Sequence, residues 1–352
     1  MNTVFVTHPR NMLERYFGDK ALAELRARAR VKLNTGHREL TTDELAIAAR
    51  DCDVIIAYRQ TPAPRALFTA LPGLAALVRC AVDIRTIDVD AACEHGVLVT
   101  QASAGFVPSV SEWVIGVMVA MARGIDTYAA AYHRGVPAEP AMGRQLRGAT
   151  LGVIGYGQIS RYLCDAACAL GMRVVVTDPY TDVERHTLEQ VTLPALLGMS
   201  DFVVCLAPAT AETAHLMNAR TFGSMKPGAY FINAARGELV DEAALRCALD
   251  SGHLAGCALD VGSEPDQMPS LLLARHPKVI ATPHIGGLTP EAIEHQALQT
   301  VSQVEAIFRG EIPEGAVNAP HASRLSRFAR GGSAGTDNGG IANAPFSVPD
   351  RN

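Results

Sequence analysis

The sequence predicts an α/β protein of two lobes, the second built on a doubly wound parallel sheet. Three observations carry this. Apolar runs of strand length alternate with Ala- and Leu-rich stretches of helix length from Thr3 to Ala281, the pattern of strand–helix–strand units. The runs are apolar along their whole length, as strands covered on both faces are. A chain of 352 residues with 48% hydrophobic content is long for one core and sufficient for two.

In the first lobe, Val4–Thr7 reads as a strand, Leu22–Arg30 as a helix, Val54–Ala57 as a strand and Pro64–Ala70 as a helix. Ala76–Ala81 and Val97–Thr100 are further strands. After Pro108 the Val- and Met-rich stretch Val110–Ala122 predicts a long helix leaving this lobe, with Ser109 and Ser111 as candidate caps ahead of Glu112. A polar segment, 133–147, leads to the second series. Its strands are Thr150–Ile154, Arg173–Thr177, Phe202–Leu206, Tyr230–Asn233, Ala255–Asp260 and Val279–Ala281. Pro290–Arg309 is a final helix with no strand after it, which predicts a return to the first lobe. The expected domains are 1–104 with 290–320, and 105–289 between them. Residues 321–352, rich in Gly, Ser, Asn and Ala, are expected to be a disordered tail.

The formal charge of −5 is spread along the chain without a basic stripe, which argues against a nucleic-acid partner. No apolar run approaches the ~20 residues of a membrane span, and the N-terminus lacks a basic stretch followed by a long apolar one, so a cytoplasmic protein without a membrane partner is expected. The eight cysteines form no CxxC pair and read as reduced core residues. Cys164 and Cys168 share a helix face, but no second ligand pair accompanies them and no metal is expected.

The strand Leu151–Ile154 runs into Gly155, Tyr156, Gly157, Gln158 and Ile159, and a helix through Arg161–Leu170 follows. Gly155 permits the tight turn, Gly157 lets backbone approach a pyrophosphate, and the helix N-terminus offers amides to the anion. Ser160 stands at the third glycine position, which serves helix–strand packing, so a small residue suffices. A second buried strand, Val174–Thr177, ends in Asp178, roughly 20 residues past the glycines, where ribose hydroxyls lie in a Rossmann-like dinucleotide fold. A carboxylate there repels a 2′-phosphate, and Pro179, Tyr180 and Thr181 supply no arginine to offset it. The predicted cofactor is therefore NAD.

Three later strand ends each carry a titratable residue among small or turn residues: Asn233–Asp241 with Arg236, Leu259–Pro265 with Asp260 and Glu264, and Thr282–Gly287 with His284. Ligands of open α/β sheets bind at carboxyl ends of strands. With the glycine turn ahead of them, these segments, in this order, resemble the D-isomer-specific 2-hydroxyacid dehydrogenase family over residues 50–318. That resemblance implies an NAD lobe inserted in a smaller, discontinuous, flavodoxin-like substrate lobe, assembled as a homodimer. It also implies interconversion of a small 2-keto acid and its D-2-hydroxy acid. Arg236 would pair with the substrate carboxylate and polarise its C2 oxygen. His284 would be the acid/base, and Glu264 would orient and charge it. Asp260, Pro208, Thr213, Ala234, Ala235 and Gly286 would line the cofactor.

Two departures from the family stand out. One residue fewer separates Asp260 from Glu264, and Gly262 stands where the family has a bulky side chain. Where the family has a glycine-rich loop that binds the acid, this chain has Cys80, Ala81, Val82, Asp83, Ile84 and Arg85, the expected substrate-binding loop. Arg85 is either a contact for a second acidic group on the substrate or the salt-bridge partner of Asp83. A rival reading on the same scaffold is an NAD-sensing interaction protein similar to the C-terminal-binding corepressors.

Overall fold

A computed structural model of the chain describes residues 1–329. Two compact units emerge, Met1–Ser103 with the chain from Ala297 onward, and Ala104–Gln296. Each is built on one parallel sheet.

The first unit has five strands, β1 (Thr3–Val6), β2 (Arg30–Leu33), β3 (Val54–Ala57), β4 (Ala76–Arg79) and β5 (Leu98–Gln101), in the order β2-β1-β3-β4-β5. Side chains alternate between the two faces. Val4, Val6, Val54, Ile56 and Val78 pack with Leu22, Leu25, Ala297, Val301 and Val304. Phe5, Ile55, Ala57, Leu77 and Val99 pack with Leu45, Leu67 and Phe68. Burial on both faces is why the central strands are mostly apolar.

The helix expected over Leu22–Arg30 runs instead over Asp19–Arg28, and Arg30 opens β2. The Arg-Val-Lys-Leu alternation of this short edge strand is also compatible with a helix face, and pairing with β1 decides it. The helices Arg10–Tyr16, Thr42–Ala48 and Val89–Glu94 were not expected. The middle one is announced by a capping box in which Thr41 accepts from the Glu44 amide and Glu44 returns to the Thr41 amide. The first residues of the expected tail are ordered. Residues 323–329 form a 3₁₀ turn and a helical turn, with Leu325 buried in the core and Phe328 edge-on to Phe308 at 5.4 Å. Arg324 donates to the carbonyls of Leu71 and Leu74. The remainder, 330–352, lies outside the described residues.

The second unit has seven strands, β6 (Thr150–Ile154), β7 (Arg173–Thr177), β8 (Glu189–Gln190), β9 (Phe202–Cys205), β10 (Ala229–Asn233), β11 (Leu254–Leu259) and β12 (Val279–Ala281). The order is β12-β11-β10-β9-β6-β7-β8. The chain runs outward from β6 to β8, returns to the other side of β6 at β9, and runs outward again. That reversal opens a crevice at the carboxyl end of β6, the place where doubly wound sheets bind ligands.

The long helix starts at Val107, with Pro108 in its first turn and no side-chain cap. Ser109 instead bonds Thr289 Oγ1 at 2.8 Å, and Ser111 donates to Val107 O and Ile159 O. No single helix among the described residues is long and apolar enough to cross a membrane, and the one pair that passes by composition is bent by 72°. No group of His, Cys, Asp and Glu able to hold a metal ion occurs among the described residues.

In the first unit, His8 follows β1 with 1% exposure, its ring between those of Phe17 and Tyr58 at 5.3 and 5.0 Å. Burial, with a smaller contribution from nearby Arg79, pushes its pKa down to about 3. An unfolded chain protonates His8 near its ordinary value of 6.5, whereas the folded one keeps it neutral. Its contribution to stability is therefore complete above that value and is lost as pH falls toward 3, by about 1.4 kcal/mol per pH unit. Urea titrations at pH 7 and pH 4.5 are expected to show wild type losing ~2–3 kcal/mol more than His8→Phe. Equal losses would remove His8 as the cause.

Candidate active site

The cofactor end is built by β6 and its two neighbours. Gly155 adopts φ +90°, and a Cβ there would stand 2.9 Å from the backbone N and Cα of Ala207, so both conformation and space demand glycine. Gly157 caps the helix Gln158–Ala169, and nothing lies within 4 Å of where its Cβ would be. This open side, facing first-turn amides that no preceding turn can pair, accommodates a pyrophosphate. Ser160 is 1% exposed, in keeping with a packing role. The Tyr156 ring is buried too, with the Arg161 guanidinium 4.8 Å above it. Tyr156 thus presents only its backbone to the turn.

Asp178 ties the turn to β7. One carboxylate oxygen accepts from the Tyr156 amide at 2.7 Å, and the other accepts from the Tyr180 and Thr181 amides at 2.9 and 3.0 Å. A carboxylate has about four acceptor positions, so the side chain is oriented by protein and keeps room for a ribose hydroxyl. On the other flank, the loop after β9 is folded by Thr213, whose hydroxyl donates to Pro208 O and accepts from the Thr210 amide.

The reactive groups stand at the ends of β10, β11 and β12, adjacent in the sheet. Asn233, 1% exposed, closes the turn that displays Arg236. Its Oδ1 accepts from the Ala235 amide at 3.1 Å and its Nδ2 donates to Arg236 O at 2.9 Å. Ala234 and Ala235 fill this turn, and the Arg236 guanidinium donates to Ala235 O. Gly237 then lies so close to Gly262 that a Cβ would be 2.1 Å from its carbonyl oxygen, which locks the arginine turn onto the loop after β11.

Asp260, 3% exposed, organises the histidine turn. It accepts from Thr282 Oγ1 at 2.6 Å and from the amides of Ile285 and Gly286 at 2.8 and 2.7 Å, while its carbonyl receives the His284 amide at 3.0 Å. His284 is held at φ +54°, a region uncommon for residues other than glycine. Three donors on Asp260 leave about one acceptor position for the cofactor role expected of it.

Glu264 departs from expectation. Its side chain is exposed and makes no hydrogen bond or ion pair with the described residues, so the expected bond to His284 is not formed here. The closure of its loop gives the reason. Gly262 packs where a Cβ would meet Pro269 at 2.5 Å, and the loop closes through Gly262 N to Gln267 O at 2.7 Å and Glu264 N to Met268 O at 3.0 Å. Gln267, which sequence reasoning missed, joins this loop to the arginine turn by donating to Glu238 at 3.2 Å. Asn233 was missed as well, although an asparagine at a strand end is a recognisable turn former. In the first unit, Ala81, Val82 and Asp83 are half-buried in the loop after β4, and Arg85 is exposed. The Asp83–Arg85 salt bridge is formed, at 2.8 Å.

Residues 115–286 match the model of the D-isomer specific 2-hydroxyacid dehydrogenase NAD-binding domain. An (S)-sulfolactate dehydrogenase of Chromohalobacter salexigens is 36% identical over 255 residues, 71% of this chain and 82% of that protein. The chain belongs to the D-isomer specific 2-hydroxyacid dehydrogenase family. A chloroplastic D-3-phosphoglycerate dehydrogenase of Arabidopsis thaliana is 36% identical over 287 residues, covering 80% of this chain but 49% of that protein. The chain thus spans about half the length of such relatives. A solved structure from Thermus thermophilus superimposes with a TM-score of 0.81 at 30% identity, covering 90% of this chain and 99% of that one. The glycine turn, the open face of Gly157 and the oriented Asp178 carboxylate fit the NAD that the family's domain holds.

Gly155→Ala is expected to lower stability by ~2 kcal/mol or more, from positive φ and contact with Ala207 together. It should also abolish binding of ADP-ribose. Wild-type urea midpoint and affinity in this variant would contradict the geometry.

Proposed function

We propose that the chain is an NAD-dependent oxidoreductase that interconverts a small 2-keto acid and its D-2-hydroxy acid. The observation that carries this is the display of Arg236 and His284 from the carboxyl ends of β10 and β12, on the same sheet edge as the glycine turn. Bound NAD supplies the hydride acceptor or donor at C4 of its nicotinamide. Arg236 pairs with the substrate carboxylate and draws electron density toward the C2 oxygen, a task for a planar, permanent cation. In reduction His284 donates its proton to that oxygen as hydride reaches C2, and in oxidation it takes the proton back. The remaining acceptor position of Asp260 would hold the nicotinamide carboxamide, and that of Asp178 a ribose hydroxyl. Pro208, Thr213, Ala234 and Gly286 line the rest of the cofactor.

Glu264 completes the pair with His284 when substrate and cofactor are bound, since catalytic hydrogen bonds often tighten only in that complex. Glu264→Gln is expected to lower kcat for keto-acid reduction while leaving ADP-ribose affinity unchanged. An unchanged kcat would leave Glu264 outside the mechanism. Glyoxylate, hydroxypyruvate and 3-phosphohydroxypyruvate are the first substrates to test. Residues 81–85 form the substrate loop of the first unit, with Arg85 held by Asp83.

The chain acts as a homodimer in this reading. Support comes from Ile125, Tyr132, Val136 and Met142, which are 51, 70, 52 and 102% exposed on one short segment of the second unit. Sedimentation of Tyr132→Asp beside wild type tests it, and a monomeric wild type would end it.

The decisive experiment is loss of NADH absorbance with a panel of 2-keto acids. Turnover is expected with at least one. His284→Gln should lower kcat roughly a hundred- to ten-thousand-fold, and Arg236→Lys should lower kcat/KM by a similar order by removing bidentate pairing. No turnover with any keto acid would overturn the proposal.

A further inference from the structure

Beside the glycine turn, the loops that follow β7 and β9 are joined by a side-chain bond. The Tyr180 hydroxyl donates to a Glu212 carboxylate oxygen at 2.7 Å. β7 and β9 flank β6 on its two sides, so this bond spans the crevice that opens at the carboxyl end of β6. Tyr180 stands two residues past Asp178, its amide held by that carboxylate, yet the side chain is 80% exposed. Glu212 precedes Thr213, the residue that folds the other loop onto Pro208. An exposed phenol has no packing reason to lie across a crevice, and its bond to Glu212 holds it there.

Both carboxylates act on the same phenol: hydrogen bonding and charge from Glu212, with a smaller contribution from Asp178, raise the Tyr180 pKa above its ordinary value. The crevice mouth therefore carries two negative charges. Nearby cations are engaged elsewhere. Arg161 lies over the Tyr156 ring, and Arg185 is salt-bridged to Asp165.

We propose that Tyr180 and Glu212 strap the adenosine end of the dinucleotide crevice, and that Glu212 is a second determinant, beside Asp178, of the preference for NAD over its 2′-phosphorylated form. This rests on the reading of the crevice as an NAD site. Because the strap joins two loops, the ligand must pass or part it on entry, and once closed it sets a carboxylate against any anion on the ribose. The interaction is Coulombic and water-exposed, so its size is modest and falls with salt.

Calorimetric titration with ADP-ribose and with its 2′-phosphate tests this without turnover. Glu212→Gln keeps an acceptor for Tyr180 but removes the charge. It is expected to bind the 2′-phosphate about five- to tenfold more tightly at low salt, with ADP-ribose changed by less than about twofold. Tyr180→Phe opens the strap, and ADP-ribose should then dissociate several-fold faster in stopped flow. Unchanged discrimination in Glu212→Gln overturns the proposal while leaving the NAD site standing. A wild-type chain that binds neither compound overturns the cofactor reading and the strap together.

Discussion

A buried carboxylate that receives three protein donors holds the candidate active site in place. Asp260 follows β11, and among the described residues its side chain bonds to the turn after β12, at Thr282, Ile285 and Gly286. A buried anion without such donors would be costly, so the turn must close around it, and His284 is carried into its left-handed conformation as a result. The strain at the histidine is thus supported by the same side chain that fills the interior behind it. The proposed hydride transfer would need its acid/base and carboxylate-binding groups fixed to within fractions of an ångström, and this closure would supply that rigidity.

The arginine side of the site is fixed by backbone contact instead. Gly237 meets Gly262 without room for a side chain, and Gln267 links the two loops again through Glu238. Arg236 is thereby set by its neighbour strand as much as by its own turn. The same close packing holds the loop after β11 against Pro269, with Glu264 on its exposed side.

The first unit is organised differently. Arg79 is fully buried, and its guanidinium donates to the carbonyls of Tyr58 and Thr61 and to the Thr86 hydroxyl. Desolvation pushes its pKa down to about 10, partly offset by Asp83. With His8 nearby kept neutral by burial, the carboxyl edge of this sheet holds polar groups whose energies depend on exclusion of water.

Local chemistry was legible from the chain alone. Runs of β-branched residues marked the central strands and glycines marked the turn after β6; Asp178 stood out by ending a buried strand about 20 residues past those glycines, and Arg236 and His284 by following strands among small or turn residues. Edge strands such as β2 and short helices such as Arg10–Tyr16 were not, because their few residues satisfy either period and only pairing or packing selects one. Bonding partners were not legible either. Asp260 closes the histidine turn, Glu264 stays in solvent, Asn233 shapes the arginine turn, and Tyr180 reaches Glu212. A sequence states which groups a chain carries and how each strand ends, whereas hydrogen bonds between loops of different strands depend on their separation in space, which exists only once the sheet has set its order and twist.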